Sequence, residues 1–203
     1  MSDLKGLNKE IAVCRKCEIA KYRTKVVPGE GAENAEILFI GEAPGYHEDQ
    51  LGRPFVGAAG QLLDRLLSSI SLDRQKVYIA NVIKCRPPNN RDPLPGEIEN
   101  CRYWLERQIE LISPKMIVTL GRYSMAKFFP GKTISKIHGT AQKQNGKVYF
   151  AMYHPAAALH QQSLRQTIEA DMLKIPKYLD EMKRITEEPP EPEVQQLNMF
   201  ENL

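Results

Sequence analysis

Residues 36–70 read EILFIGEAPGYHEDQLGRPFVGAAGQLLDRLLSSI, and the fold of the chain can be worked out from this segment. It begins with the apolar run Glu36–Gly41, which is typical of a buried β-strand. It ends with Gln61–Ile70, where leucines recur at the spacing of one helical face. Residues 41–64 hold five glycines and two prolines, and glycines let the backbone approach a ligand closely. This order predicts an α/β unit with a ligand site where the strand ends.

The same pattern continues through the rest of the chain. Three further apolar runs predict strands, at Val77–Lys84, Met116–Leu120 and Lys147–Tyr153. Helical spacing covers Glu97–Ile112 and Ser163–Met182, and the second helix is expected to break or kink at Pro176. Strands that alternate with helices predict an α/β fold of three layers, α/β/α, around a four-stranded parallel sheet.

Composition limits the kind of protein. The chain has 203 residues, 42% of them hydrophobic, and residues 1–186 are expected to form one domain. No apolar run is long enough to cross a bilayer, and the polar N-terminus has no signal-peptide core. We therefore expect a cytoplasmic protein without a membrane partner. Structural disulfides are rare in that compartment, so the four cysteines need another explanation.

The net charge of +3 hides an asymmetry along the chain. Residues 187–203 contain five glutamates and no lysine or arginine, which leaves 28 basic against 20 acidic residues in the body, a net charge of +8. A basic body fits contact with a polyanion, although charge alone is explained as well by a solvated surface. The acidic, proline-rich residues 187–203 are expected to form a disordered tail.

The four cysteines suggest a metal site. Cys14 and Cys17 form a C-x2-C pair, whereas Cys85 and Cys101 are separated by 15 residues. Four thiolates can hold zinc or a 4Fe–4S cluster. Zinc sites of four cysteines usually have two C-x2-C pairs, so the wide second pair favours the cluster modestly. Unrelated buried cysteines are the third alternative.

The sequence excludes a phosphate-binding P-loop. A phosphate-binding P-loop needs the pattern GxxxxGK[ST] after a strand, but the Gly131-Lys132-Thr133 tripeptide has Ala126 where the first glycine is required.

His154 follows the last predicted strand and is itself followed by Pro155, which suggests a functional histidine. The other three histidines are expected at the surface or behind the site: His47, His138 and His160.

Taken together, these segments resemble the family-four uracil-DNA glycosylases, the iron–sulfur branch of the uracil glycosylase superfamily. The matching stretches are CRKC near the start, GEAPGYHEDQLGRPFVGAAGQLLD, VYIANVIKCRPPNNRDPLPGEIENC and YHPAAAL, so the resemblance runs from Val13 to Asp171. It implies an enzyme of base excision repair that flips uracil out of DNA and hydrolyses its N-glycosidic bond, leaving an abasic site. It also implies a 4Fe–4S cluster on Cys14, Cys17, Cys85 and Cys101.

The resemblance implies roles for individual residues. The first motif falls on Gly41 to Gly45 and puts Glu42 and Ala43 beside the bound base. Phe55 matches the aromatic that stacks on uracil, and Asn81 matches the amide that reads its edge. His154 matches the histidine that stabilises the charge developing on uracil O2.

Other assignments are less direct. Relatives of the best-known branch carry aspartate where this chain has Ala43, so Glu42 is the candidate for positioning the attacking water. Glu48 is expected near uracil C5, where it would help to exclude thymine. Leu159, on the loop after His154, is a candidate wedge that fills the hole left by the flipped base, although an ordinary packed leucine fits as well.

The resemblance also bears on how the chain contacts DNA and other partners. The substrate is uracil-containing DNA, double- or single-stranded, and a monomer is expected. Within the Cys85–Cys101 region, Lys84, Arg86 and Arg91 are expected to meet phosphates. Tyr46-His47 departs from relatives that often carry acidic residues there, which is expected to alter DNA contact. Residues Gln196–Phe200 resemble the glutamine-led peptides that bind DNA sliding clamps, although Asn202 stands where many of them have an aromatic.

Two rival functions remain at this stage. A glycosylase of broader specificity would accept other deaminated or mismatched bases. A non-catalytic DNA-binding module would use the cluster only as a scaffold, and the presence of Glu42, Asn81 and His154 argues against it.

Overall fold

A computed structural model of the chain describes residues 3–187, and the side chains of residues 3–181. The strands are β1 Glu30–Gly31, β2 Ile37–Gly41, β3 Tyr78–Asn81, β4 Met116–Leu120, β5 Ala141–Gln144 and β6 Lys147–Met152. The first helices are α1 Leu4–Ala12, α2 Tyr46–Leu51, α3 Ala58–Ser69, α4 Pro95–Ile112 and α5 Arg122–Phe128. They are followed by α6 Ile134–Ile137, α7 Pro155–His160, α8 Ser163–Met172 and α9 Ile175–Glu187. The fold is therefore mixed α/β, as the sequence predicts.

The sheet of the described residues has six strands in the order β1-β3-β2-β4-β6-β5. The four inner strands pair in parallel, and the edge strands β1 and β5 pair antiparallel with their neighbours. The prediction of a four-stranded sheet was wrong because it missed both edges. Strand β1 has only two residues, and β5 reads Ala-Gln-Lys-Gln, so neither contains an apolar run.

Helices cover the sheet on both faces because side chains alternate along each strand. Residues Ile37 and Phe39 of β2 face a core formed with α3, α8 and α9. Residues Leu38 and Ile40 face the opposite core, formed with α1 and α4. Every residue of β2 is buried, which is the expected pattern for a strand inside a parallel sheet.

The helix predicted at Ser163–Met182 is two helices, α8 and α9, and the break lies at Leu173 and Lys174. Pro176 is the second residue of α9 rather than the point of the break. A proline costs nothing in the first turn of a helix because the N–H it lacks would have no partner there.

Residues 188–203 lie outside the described part of the chain, and so does the predicted clamp-binding peptide Gln196–Phe200. Within the described part, none of the helices combines the length and the apolarity that a bilayer crossing requires.

Candidate functional site

The parallel strands bring the sequence motifs together at their carboxyl ends. Gly41, the last residue of β2, pairs with Asn81, the last residue of β3. His154 follows β6 and is the N-cap of α7. Between them lies a cavity of about 190 Å³, called here the inner pocket. It is lined by Ala43, Gly45, Glu48, Phe55, Ala59, Asn81, His154 and Ala156.

Asn81 has an unsatisfied polar atom in this pocket. Its side chain is 2% exposed. Among the described residues, its Oδ1 is the only buried side-chain nitrogen or oxygen without a hydrogen-bond partner. Such an atom costs about 1–3 kcal/mol when no ligand satisfies it. The amide of Asn81 is therefore available to a ligand that can both donate and accept.

Gly41 is required by the space beside Asn81. A Cβ atom at this position would collide with Asn81 Oδ1 and lie 2.6 Å from Cζ of Phe55. Any other residue would push the amide or the ring out of place. Gly41, the first residue of the motif, therefore acts by leaving room for the side chains of Asn81 and Phe55.

Phe55 is buried and held in an unusual backbone conformation. Its φ is 53°, in the left-handed region that few non-glycine residues adopt. Arg74 holds the segment by donating to the carbonyl oxygens of Pro54, at 2.8 Å, and of Phe55. Asp64 in turn pairs with Arg74 at 2.7 Å. The Phe55 and His154 rings lie nearly parallel, with centroids 5.4 Å apart.

The environment of His154 fixes its protonation. Burial lowers the pKa of His154 to about 4, and the nearby Glu48 only partly opposes this effect. The ring is therefore neutral at physiological pH. Its Nδ1 accepts a hydrogen bond of 3.1 Å from the backbone N–H of Ala156, so the ring hydrogen is carried by Nε2. His154 can then donate to a ligand through Nε2–H.

Glu48 lines the inner pocket, but its carboxylate is committed to the surrounding loop. Oε1 accepts the backbone N–H groups of Val56 at 2.8 Å and Gly57 at 2.9 Å. Oε2 accepts the N–H of Gly45 at 3.1 Å. Glu48 thus joins the first motif to the segment that carries Phe55.

A second cavity of about 400 Å³, called here the outer cleft, adjoins the inner pocket. Ala43, Gly45, His154 and Ala156 line both cavities, whereas Glu42 lines only the outer cleft. Burial is the main factor that raises the pKa of Glu42; Asp92 adds to the rise, and Arg122 opposes it. A carboxylate with a raised pKa is a stronger base.

The remaining predicted positions lie around these cavities. Leu159 is 49% exposed and belongs to α7, so the prediction that places it on a loop was wrong. His160 lines the outer cleft. His138 is bound to the buried Asp171, with 2.7 Å between Nδ1 and Oδ2, and lies outside both cavities. His47 packs edge-on against Tyr46.

The four predicted metal ligands meet away from the strand ends. Cys14, Cys17, Cys85 and Cys101 line one small cavity, together with residues of α1 and α4 such as Ile11 and Trp104. Three of the sulfurs accept N–H hydrogen bonds: Cys85 from Arg23 at 3.1 Å, Cys14 from Trp104 Nε1 at 3.3 Å and Cys101 from the backbone of Lys84 at 3.3 Å. Donors of this kind are found around the sulfurs of iron–sulfur clusters.

The arrangement of the four cysteines bears on which metal group they could hold. Within residues 3–181, no group of three or more His, Cys, Asp or Glu side chains is arranged to hold a metal ion. In a 4Fe–4S cluster each thiolate binds a different iron, so the four sulfurs need not converge on one point. Burial raises the pKa of Cys101 to about 11, an effect that binding to a metal would overcome. The donor set fits a cluster.

Lys84 contradicts the sequence prediction that it meets phosphates. Its side chain is buried and donates to the backbone oxygen of Asn81 at 2.8 Å and to Oε1 of Gln108 at 2.6 Å. Arg91 is also committed, because it pairs with Glu97 at 2.6 Å. Sequence reasoning gave no role to Gln108 or Arg74, and nothing in their local sequence distinguishes them from surface residues.

Comparisons with known proteins agree with this arrangement. The model of the uracil DNA glycosylase superfamily matches residues 28–180. The chain is 46% identical over 196 residues to a Type-4 uracil-DNA glycosylase of Sulfurisphaera tokodaii, covering 92% of this chain and 89% of that protein. It is 50% identical to the Type-4 enzyme of Archaeoglobus fulgidus, over 86% and 92% of the two chains. It is 41% identical to that of Thermotoga maritima, over 85% and 93%.

Proposed function

The chain belongs to the uracil DNA glycosylase superfamily, and we propose that it removes uracil from DNA by hydrolysing the N-glycosidic bond. The product is DNA with an abasic site, the starting point of base excision repair. One observation carries the proposal: a buried amide whose oxygen has no hydrogen-bond partner shares a pocket with an aromatic ring and a neutral histidine. Release of free uracil from a uracil-containing oligonucleotide tests it, and no release from double- or single-stranded substrate would contradict it.

Asn81 distinguishes uracil from cytosine by the direction of its hydrogen bonds. Its Nδ2–H group donates to uracil O4, and its Oδ1 accepts from uracil N3–H. Cytosine presents a donor at the first position and an acceptor at the second, so both contacts would be lost as long as the amide keeps this orientation. Phe55 supplies the stacking surface, and the base must be flipped out of the helix to reach it.

His154 stabilises the leaving group. Cleavage of the N-glycosidic bond leaves negative charge on the base, largely at O2. The Nε2–H of the neutral ring donates to that oxygen, and this hydrogen bond strengthens as the charge develops. A neutral donor fits the low pKa of the ring.

Glu42 positions and activates the attacking water. It lines the outer cleft, where the deoxyribose of a flipped nucleotide would lie, rather than the inner pocket. Its raised pKa improves its basicity. A Glu42→Gln enzyme with near-normal single-turnover rates would move this role to another residue. Glu48, at the wall of the inner pocket, lies near uracil C5 and helps to exclude the methyl group of thymine.

The four cysteines hold a 4Fe–4S cluster that crosslinks the chain. Cys14 and Cys17 would attach the N-terminal segment to Cys85, in the loop between β3 and α4, and to Cys101 of α4. When bound, the cluster would supply a crosslink between these parts of the chain. The three N–H donors to sulfur support this assignment over unrelated buried cysteines.

Loss of one ligand should remove the cluster. Anaerobically purified protein is expected to contain about four irons per chain. Cys101→Ala should lose the iron and unfold at a lower temperature, because ligation energy is partly folding energy. Trp104→Phe, which removes only the N–H donor to Cys14, serves as a control that should keep the iron. Wild-type protein with stoichiometric zinc and no iron would contradict the assignment of a 4Fe–4S cluster.

Leu159 is the proposed wedge. Leu159 is exposed and belongs to α7, whose residues Ala156 and His160 line the outer cleft, and this position supports the proposal. Leu159→Ala should slow uracil release from duplex DNA more than from single strands, since only the duplex is left with a hole to fill. Equal losses on both substrates would favour an ordinary surface leucine.

The remaining proposals concern organisation. Residues 1–186 act as one catalytic domain, as a monomer in the cytoplasm. Residues 187–203 form an acidic tail, and Gln196–Phe200 docks on a DNA sliding clamp, which raises the local concentration of the enzyme on DNA. Clamp titration of full-length and 1–190 protein tests the tail; binding that survives truncation would rule out this peptide.

A further inference from the structure

Tyr46, His47 and Arg86 form a surface cluster that the site described above does not use; we call it the aromatic platform. Tyr46 is 54% exposed. The guanidinium carbon of Arg86 lies over its ring, 5.2 Å from the centroid. The His47 ring packs edge-on against it, with centroids 5.5 Å apart. An aromatic ring is thus held in a fixed orientation at the surface.

The platform adjoins the rim of the cavities through its neighbours in the chain. Tyr46 directly follows Gly45, which lines the inner pocket and the outer cleft. Arg86 directly precedes Pro87, which lines the outer cleft. Two residues that line the outer cleft, Gly45 and Pro87, are thus bonded directly to the platform, so a DNA strand bound in that cleft would lie close to the ring.

The charge of Arg86 is also available. Among the described residues it has no carboxylate within 4 Å, whereas Arg91 pairs with Glu97 and Arg122 pairs with Asp92. Its Nε donates to Asn90 Oδ1 at 2.6 Å, which leaves the terminal N–H groups free to bind an anion. An exposed ring beside an unneutralised guanidinium suits a ligand with a flat base and a phosphate.

We propose that Tyr46 stacks on the base next to the flipped uracil in the same strand, and that Arg86 binds the adjoining backbone phosphate. The inference rests on the proposed function, which brings a DNA strand to this rim. Flipping uracil deprives its neighbour of a stacking partner, and an aromatic ring at the rim replaces that partner. Relative to acidic residues at these positions, Tyr46-His47 removes repulsion of the phosphate.

The first test measures binding to a single-stranded oligonucleotide that carries 2′-fluorodeoxyuridine, a uracil nucleotide that resists cleavage. Tyr46→Ala should raise the Kd about ten-fold, whereas Tyr46→Phe should bind like the wild type because the ring is kept. Arg86→Gln should flatten the slope of log K against log salt by about 0.7. Tyr103→Ala is the matched control, since Tyr103 is 48% exposed and also carries a cation, Lys16, over its ring.

The second test removes the proposed base. When both nucleotides beside the uracil analogue are replaced by baseless spacers, wild-type binding should weaken by the same factor and Tyr46→Ala should cause no further loss. The proposal is overturned if Tyr46→Ala binds normally, if Tyr103→Ala loses as much, or if the effect of Tyr46→Ala persists on the spacer oligonucleotide. A loss confined to duplex DNA would also overturn it, because the contact would then be to the opposite strand.

Uracil release by the wild type, measured on the same sequence with ordinary deoxyuridine, separates a failure of the proposed function from a failure of the platform proposal. Absence of release would contradict the proposed function. Release together with normal binding by Tyr46→Ala would contradict the platform alone. Thermal unfolding of the Tyr46 and Tyr103 variants should match the wild type, since both side chains are exposed, and that of Arg86→Gln, where the side chain is half-buried, should stay close to it.

Discussion

His154→Ala should lower the single-turnover rate of uracil release by about 10²- to 10³-fold, with little change in affinity for DNA. The reason is that the Nε2–H hydrogen bond to uracil O2 is weak in the ground state and strong once the N-glycosidic bond has begun to break. Quench-flow measurement at saturating enzyme gives this rate directly. If His154→Ala instead abolished binding and left the single-turnover rate intact, the histidine would be a binding residue only.

A second variant separates this effect from a structural one. His154 also caps α7, through the hydrogen bond that its Nδ1 accepts from Ala156 N–H, and loss of a cap costs about 0.5–2 kcal/mol of stability. Asparagine is a good N-cap residue, so His154→Asn should keep the cap while placing no donor at the Nε2 position. It should therefore unfold like the wild type and still be slow.

The pH dependence follows from the two shifted pKa values. Because the pKa of His154 is lowered to about 4, the ring stays neutral between pH 8 and 5, and it should produce no inflection near pH 6.5. The raised pKa of Glu42 predicts that activity falls on the acid side as this carboxylate is protonated, from a pH above its ordinary value of 4.5. That acid limb should disappear in Glu42→Gln and persist in His154→Ala.

The same shift in His154 makes a prediction about stability. The unfolded chain binds a proton near pH 6.5, whereas the folded chain binds it only near pH 4. Between these values the unfolded state carries more protons, so the contribution of His154 lowers the free energy of unfolding as the pH falls from 6.5 towards 4.

The sequence was most informative where function depends on local order. Gly41, Asn81 and His154 follow apolar strands, and parallel strands bring their carboxyl ends to one edge, so their meeting could be predicted. Phe55 could be placed only through the resemblance. The position of Phe55 depends on a hydrogen bond from Arg74, 19 residues away, and no local sequence pattern predicts that contact.

Buried polar side chains were the main failure. Lys84 has the sequence appearance of a surface cation, yet it is buried and bridges Asn81 and Gln108. Such a network depends on residues distant in sequence, which composition and periodicity do not reveal. The edge strand β5 was also missed, but the sequence does contain a signal for it. Asn145-Gly146 connects β5 to β6, and Asn-Gly is a strong hairpin signal.

Asn81→Asp should change which base the pocket accepts. The carboxylate cannot donate to uracil O4 and repels it, so uracil release should fall, whereas cytosine offers its N4 amino group to the same oxygen. One such set of directional contacts is worth about 1–3 kcal/mol of discrimination, so the ratio of uracil to cytosine release should fall by roughly 10- to 100-fold. Single-turnover assays on matched oligonucleotides with one uracil or one cytosine measure this ratio.

The geometry makes the comparison between variants informative. Aspartate has the shape of asparagine and therefore fits beside Gly41 and Phe55, where the space is too small for an extra carbon atom. The hydrogen bond from Lys84 to the Asn81 backbone oxygen involves no side-chain atom of Asn81 and should survive. Asn81→Ala removes donor and acceptor together, so uracil release should be slow and the preference for uracil over cytosine should fall, without the new contact to cytosine that aspartate offers. If Asn81→Asp keeps the wild-type ratio, the edge of the base is read by another residue.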